Sequence, residues 1–368
     1  MLQKKILSAA CLISTAFLPT FAASGATVVG SAYTMTNGAG PNGVLMYNRM
    51  SDGTLKGVAT FFTNGKGTGA GLGTQGALAV NNTGRFLLVP NAGSNDISVL
   101  QISAGSLTTL GKTTSGGTMP GSIAIYGHLV YVLNIGSPNS VTGFLLHSDG
   151  TLVALPGSMR SLSGSDVTPP QVGFSPDGQF LIVTEKATNL IDVFPVHSDG
   201  TLGPIVSNPS SGMTPFGFAF GNNHQLFVSE AFGGAANASA LSSYTLNADG
   251  TLTTITGSAP TMQTAACWVA LGSGNQQVYT TDTGSATVTG FGVGPSGTVT
   301  LLNSDGDTGM TPAGSEPIDE AFSPDGKFLY VLTSTVPGIS SFSAAGDGSL
   351  TPAGTSSAPA SASGLVVR

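Results

Sequence analysis

Residues 175–202 read SPDGQFLIVTEKATNLIDVFPVHSDGTL. Two turn signatures bracket two β-forming runs in this stretch. In Ser175-Pro176-Asp177-Gly178 the proline presets φ, the aspartate can accept nearby backbone N–H groups, and the glycine supplies a positive φ. Phe180 to Val183 is then a short run of aromatic and branched residues, and Ile191, Val193, Phe194 and Val196 form a second, alternating run. Asp199-Gly200-Thr201-Leu202 closes the stretch as a hairpin turn whose leucine starts another strand.

Outward from this stretch the same signatures return. Asp-Gly-Thr-Leu stands at Asp52–Leu55, Asp149–Leu152, Asp199–Leu202 and Asp249–Leu252, with weaker copies ending at Leu107, Val299 and Leu350. The last residues of these seven copies are 45 to 52 residues apart. Ser-Pro-Asp-Gly recurs at Ser323–Gly326 before Phe328 to Val331. Each repeat thus holds four short strands: one before and one after the first turn, one before and one after the second. Four antiparallel strands cannot bury both faces alone, so seven such units predict an all-β, seven-bladed β-propeller. A right-handed β-helix, also glycine-rich, has shorter repeats. After the leader the chain begins with a run matching the second strand of a repeat, Ala26 to Tyr33, and ends with Gly364 to Arg368, which matches a first strand. The C-terminal strand is therefore expected to complete blade 1 and close the ring.

Composition agrees with this reading. Of 368 residues, 53 are glycine, 40% are hydrophobic and 8% are charged, which disfavours long surface helices and leaves ample material for a core. The balance of 18 acids against 11 Lys and Arg offers no basic cluster for phosphates, so no nucleic-acid partner is expected. Lys4 and Lys5, the apolar run Ile6 to Leu18, and Thr20 and Ala22 before the cut form the three parts of a signal peptide. The domain reading is a leader at 1–22 and one propeller at 23–368, secreted or periplasmic, with no membrane span and a monomeric state. Cys11 leaves with the leader, so Cys267 has no partner for an intramolecular disulfide.

With those motifs in place, the chain resembles the seven-bladed propeller lactonase family, which includes the propeller 6-phosphogluconolactonases and the carboxymuconate-cyclising enzymes. The resemblance spans roughly residues 26–368. It rests on SPDG-x-F-L-x-V at 175–183 and at 323–331, on the DGTL turns, and on Pro120, Pro169, Pro215 and Pro317 six residues before the SPDG position. It implies a lactone or sugar-derived ligand at one mouth of the channel, with a His and an Arg just after that proline in adjacent blades. Here those positions hold Pro170 and Phe216, so lactone hydrolysis would have to proceed without the family's cation.

Alignment of the repeats on the second strand gives one ring of equivalent positions: Ala32, Asn91, Asn134, Glu185, Glu230, Asp282 and Thr333. Glu185, Glu230 and Asp282 would stand side by side, as catalytic acids and bases or around a hard cation such as Ca²⁺; the plain alternative is that each caps its own turn. No other cofactor is implied. A second ring on the innermost strands is Ala77, Ser122, Gln171, Gly217, Trp268, Asp319 and Gly364. Gln171, Trp268 and Asp319 are its candidate ligand-binding residues, Trp268 as an apolar platform beside Gly217, or else as filler between blades. His128, His147, His197 and His224 fall in turns without zinc spacing. Gly65–Gly76 reads as a long loop over one face, as does Phe232–Ala240. The expected function is binding or hydrolysis of a small lactone or sugar derivative. The alternative is a non-catalytic scaffold that holds a protein or polysaccharide through its loops.

Overall fold

At the DGTL segments the chain turns as those residues dictate. Asp52 Oδ1 accepts the Thr54 N–H at 3.0 Å and Asp249 Oδ1 that of Thr251 at 3.0 Å. Gly53, Gly150, Gly200 and Gly250 take φ of 84°, 90°, 85° and 83°, in the left-handed region open to glycine. In the computed structural model of the protein, which describes residues 25–368, these turns join the third and outermost strands of each blade. The expected leader, 1–22, lies outside the described residues. Among those residues no helix is long and apolar enough to cross a membrane, and the two helical elements are 3₁₀ turns at Phe232–Gly234 and Ser273–Asn275.

Seven antiparallel sheets follow one another around the ring, as the repeat predicts. From the channel outward, blade 1 is Ser363–Val367, Val28–Met35, Pro41–Met50 and Leu55–Lys66. Blade 2 begins at Ala79–Val80, blade 3 at Pro120–Tyr126 and blade 4 at Gln171–Phe174. Blades 5, 6 and 7 begin at Pro215–Phe220, Ala266–Leu271 and Pro317–Phe322. The C-terminal strand closes blade 1, with Met35 opposite Ser363 and Ala32 opposite Val367. Ser31 and Arg368 exchange N–H to O=C bonds of 2.9 and 2.8 Å at the outer end of this pairing.

Period-2 alternation sends successive side chains of the second strand to opposite neighbours. In blade 2, Leu87 and Val89 pack toward blade 1, whereas Phe86 and Leu88 pack toward blade 3. The same division gives one apolar cluster at each of the seven junctions, so the core is a set of seven layers between blades. Two tyrosines carry polar tips across junctions: Tyr131 donates to Gly200 O at 2.8 Å and Tyr279 to Gly348 O at 2.9 Å, each reaching the DGTL-type turn of the next blade.

Removing Ser363–Arg368 would strip the inner strand from blade 1, take Leu365 and Val366 out of two junction clusters, and expose Ala362 and Tyr33 there. Burial of that area is worth about 5 kcal/mol, so the truncated chain should melt well below the intact one by circular dichroism. An unchanged melting temperature would mean that the ring does not depend on this closure.

Candidate functional site

The innermost strands slip register at their heads, between Pro120 and Ser122, Pro215 and Phe218, Ala266 and Val269, and Pro317 and Asp319. Such a bulge leaves a backbone N–H without a ladder partner, and in a buried place it must find another. The second predicted ring supplies it. Ser122 Oγ accepts the Val172 N–H at 3.2 Å and Gln171 Oε1 that of Phe218 at 2.7 Å, each from the preceding blade. Gln171 Nε2 also donates to Phe218 O at 3.0 Å. Asp319 is 2% exposed and takes two N–H groups, its neighbour Glu320 at 2.8 Å and Leu365 of blade 1 at 2.9 Å.

At the next junction Gly217 has no side chain to offer. Gln75 crosses the channel from blade 2 instead, accepting Val269 N–H at 3.2 Å and donating to Val269 O at 2.9 Å. A Cβ on Gly217 would lie 2.3 Å from Gln75 Oε1, which fixes glycine there. The end of the 65–76 stretch is thus a plug as well as a surface loop: Gly76 O accepts the Ile123 N–H at 2.8 Å, and Thr74 Oγ1 donates to Gly121 O at 2.7 Å.

The first predicted ring lies at the ends of the second strands, with one correction. Blade 1 does not follow it: Ala32 sits mid-strand, opposite Tyr47 and Val367, in the junction with blade 7. The ring is buried and its polar members are bonded locally, although Asp282 Oδ1 and Asn134 Oδ1 have no partner. Glu230 accepts from Gly212 N at 2.7 Å, Ser242 Oγ at 2.6 Å and Ser258 Oγ at 2.7 Å. Glu185 is bonded by Ser163 through both N–H and hydroxyl, and by Thr188 Oγ1 at 2.6 Å. Asp282 is bonded by Thr289 Oγ1 at 2.7 Å, and burial holds its pKa well above the usual carboxylate range. The three carboxylates, expected to converge, are therefore held in separate blades. Among the described residues no three His, Cys, Asp or Glu side chains are grouped to hold a metal ion.

The hydroxyl beside each ring member also repeats: Ser98 on Asn91, Thr142 on Asn134, Ser242 on Glu230, Thr289 on Asp282. In blade 4 that place is taken by Asp192. Burial, and then a hydrogen bond with Glu185, push its pKa up to about 8.

At the face carrying these strand ends, Trp268 is 3% exposed and packs on Phe216 with ring centroids 5.0 Å apart. Cys267, Ala231 and Ile318 complete the cluster, and burial pushes the Cys267 thiol up to about 12. Trp268 thus fills space beneath Phe216, and the side of Gly217 belongs to Gln75. Over the Phe216 ring lies Lys186, its Nζ 4.3 Å from the centroid. It forms no ion pair among the described residues, and burial lowers its pKa. Sequence reasoning missed this cation, although it directly follows Glu185 in a chain with 11 Lys and Arg. Ile318 also lines a cavity of about 510 Å³ at this mouth, walled by Gly69–Gly73, Thr74, Ser334, Ser361 and Ser363.

The family model described as Lactonase, 7-bladed beta-propeller, matches residues 32–169. The chain is a seven-bladed propeller, and the lactonase match lies in its first three blades and ends just before the first strand of the fourth. Among solved structures it is similar to a putative 6-phosphogluconolactonase from Bacteroides uniformis, at TM-score 0.74 and 18% identity over 92% of this chain and 99% of that one. A second such protein, from Bacteroides fragilis, and the periplasmic gluconolactonase of Pseudomonas aeruginosa each match at 0.72 and 18%, over 92% of this chain and 98% of theirs. At such identities the likeness is one of fold. No curated protein matches the chain. The two positions where the resemblance led a His and an Arg to be expected hold Pro170 and Phe216, the ring under Lys186.

Two predictions follow from these bonds. Gln75→Ala would strand both polar groups of Val269, at a cost of about 2 kcal/mol, and should lower the urea midpoint; an unchanged midpoint would mean that water replaces the amide. Asp192 and Asp319 both have pKa values raised to about 8 in the fold, chiefly by burial. The folded chain then holds protons that the unfolded chain releases near pH 4, so their contribution is full at low pH and is lost as pH rises toward 8. Urea midpoints should fall between pH 5 and pH 8, and Asp192→Asn should flatten that fall.

Proposed function

We propose that the protein binds a small hydroxylated lactone, or the hydroxy acid that it opens to, at the mouth carrying Lys186, and does so without hydrolysing it. The observation that carries this reading is the Lys186 ammonium, half-buried over Phe216 and free of any carboxylate partner among the described residues. An unpaired, partly desolvated cation is a strong attractor for a carbonyl or carboxylate oxygen. The neighbouring cavity supports the same reading, since its serine and threonine hydroxyls and glycine backbone suit a polyhydroxylated ligand. Binding is favoured over hydrolysis because Glu185 and Glu230 are buried and already bonded, and burial favours the protonated form of Asp282, so none is placed to activate water. We place this activity outside the cytoplasm, on the leader read in residues 1–22.

Trp268 is the single tryptophan and packs against Phe216, so its fluorescence reports on this mouth. Titration with glucono-δ-lactone and with gluconate should give a saturable change in emission. Lys186→Met, which keeps the aliphatic stem, should weaken it about tenfold, the worth of one charge-assisted bond. In a pH-stat the lactone should open at its spontaneous rate. Faster opening would overturn the binding-only reading, and a lack of saturable response would overturn the site.

A further inference from the structure

On the face opposite the mouth, two adjacent blades depart from the repeat at the same place. In blades 4 and 7 the turn after the innermost strand is Ser-Pro-Asp-Gly, and its aspartate is occupied locally: Asp177 Oδ1 accepts from Ser175 Oγ at 2.6 Å and Asp325 Oδ1 from Ser323 Oγ at 2.6 Å. Blade 5 replaces it with Gly221-Asn222-Asn223-His224-Gln225, and blade 6 with Gly272-Ser273-Gly274-Asn275-Gln276-Gln277. Both replacements remove the acid and bring in amides. They meet across the junction, where Asn275 Nδ2 donates to Asn222 Oδ1 at 3.0 Å.

Between them runs a groove of about 670 Å³, larger than the cavity at the mouth. Asn222, Asn223, Gln225, Asn275, Gln276 and Gln277 line it, with glycine backbone and two threonines, and no charged side chain does. Gly274, Gln276 and Gln277 also line a second cavity, of about 350 Å³, at the junction of blades 6 and 7, where Asp325 and Lys327, one of each sign, stand in the blade 7 wall. There the rings of Tyr279 and Phe322 lie 5.4 Å apart in the wall. The two cavities thus share a wall, and together they run across three blades.

Side-chain amides donate and accept in one plane, which matches neighbouring hydroxyl groups, and they are uncharged. An ionic ligand would find no counter-charge between blades 5 and 6, and an apolar one would leave the exposed amides of Asn223 and Gln276, and the free edges of the Asn222–Asn275 pair, without partners. The half-buried ring of Phe322, backed by the buried Tyr279 tilted 53° to it, offers an apolar patch next to this row for one face of a sugar ring. Two connected cavities call for a chain of several sugar units. From this lining we infer that the groove between blades 5 and 6, continued past blade 6, binds a neutral oligosaccharide chain. This site is independent of the one at the mouth.

The test is calorimetric titration of the full chain, freed of its leader, with maltohexaose, laminarihexaose, mannohexaose and xylohexaose, and with a neutral Gly-Ser peptide of similar length. At least one sugar should bind saturably. Asn222→Ala with Gln276→Ala, both at exposed positions, should weaken binding about tenfold for the loss of two hydrogen bonds while leaving the melting temperature unchanged. Lys186→Met at the opposite mouth should leave the sugar affinity as it was. Failure of all four sugars, binding of the peptide alone, or equal sugar binding by the double variant would overturn the proposal.

Discussion

Each inner strand of this ring presents one backbone N–H that its own sheet cannot bond, and the joining of neighbouring blades depends on where that group finds an acceptor. In the ordinary case the preceding blade supplies a side chain, as Ser122 and Gln171 do. In blade 3 the acceptor is a backbone oxygen, Gly76 O, and two further exceptions explain two residues that otherwise look arbitrary. Gly217 can supply nothing, so Gln75 is drawn across the channel; Trp268 has no acceptor, so Asp319 serves its own strand and the next one. Leaving such a buried group without a partner costs about 1–3 kcal/mol each time, a large part of the net stability of an ordinary domain. The inner ring is accordingly filled with hydrogen-bonding side chains, and the channel it encloses is bridged.

The same demand accounts for the unusual use of acids. Six of the 18, Glu185, Asp192, Glu230, Asp282, Asp319 and Glu320, are at most 3% exposed. Some are held by several donors, as Glu230 is, and others keep their proton because burial makes the charged form costly. Carboxyl groups act here as mortar between strands. The mouth is left with a cation, Lys186, resting on an aromatic ring.

Much of this architecture was legible in the chain. The DGTL and SPDG turns carry their conformation in their own residues, so seven blades and the closing strand could be read directly. The equivalence of Asn91, Asn134, Glu185, Glu230 and Asp282 was legible too, because strand length after a fixed turn sets the register. Blade 1 lacks that turn, so its register is not fixed in this way, and Ala32 lies mid-strand rather than at the strand end. What periodicity could not convey is partnership. Ser163 and Thr188 meet Glu185 from loops of no fixed pattern, and Gln75 meets Val269 from 194 residues away. Burial of the carboxylates, and with it the loss of their expected cluster, therefore lay beyond the sequence.

Closure by the last strand has a consequence in time as well as in space. Val28–Met35 and Ser363–Val367 are neighbours in blade 1 yet lie at the two ends of the described chain. Blades 2 to 7 are each built from one continuous segment and can pair locally, but blade 1 has to wait for the final residues to be made. Contacts of such sequence separation form slowly because the intervening loop must first be closed. Whichever blade nucleates, the docking of Leu365 beside Asp319 stands near the end of the folding sequence, and until then the growing protein is an open arc with two unpaired faces.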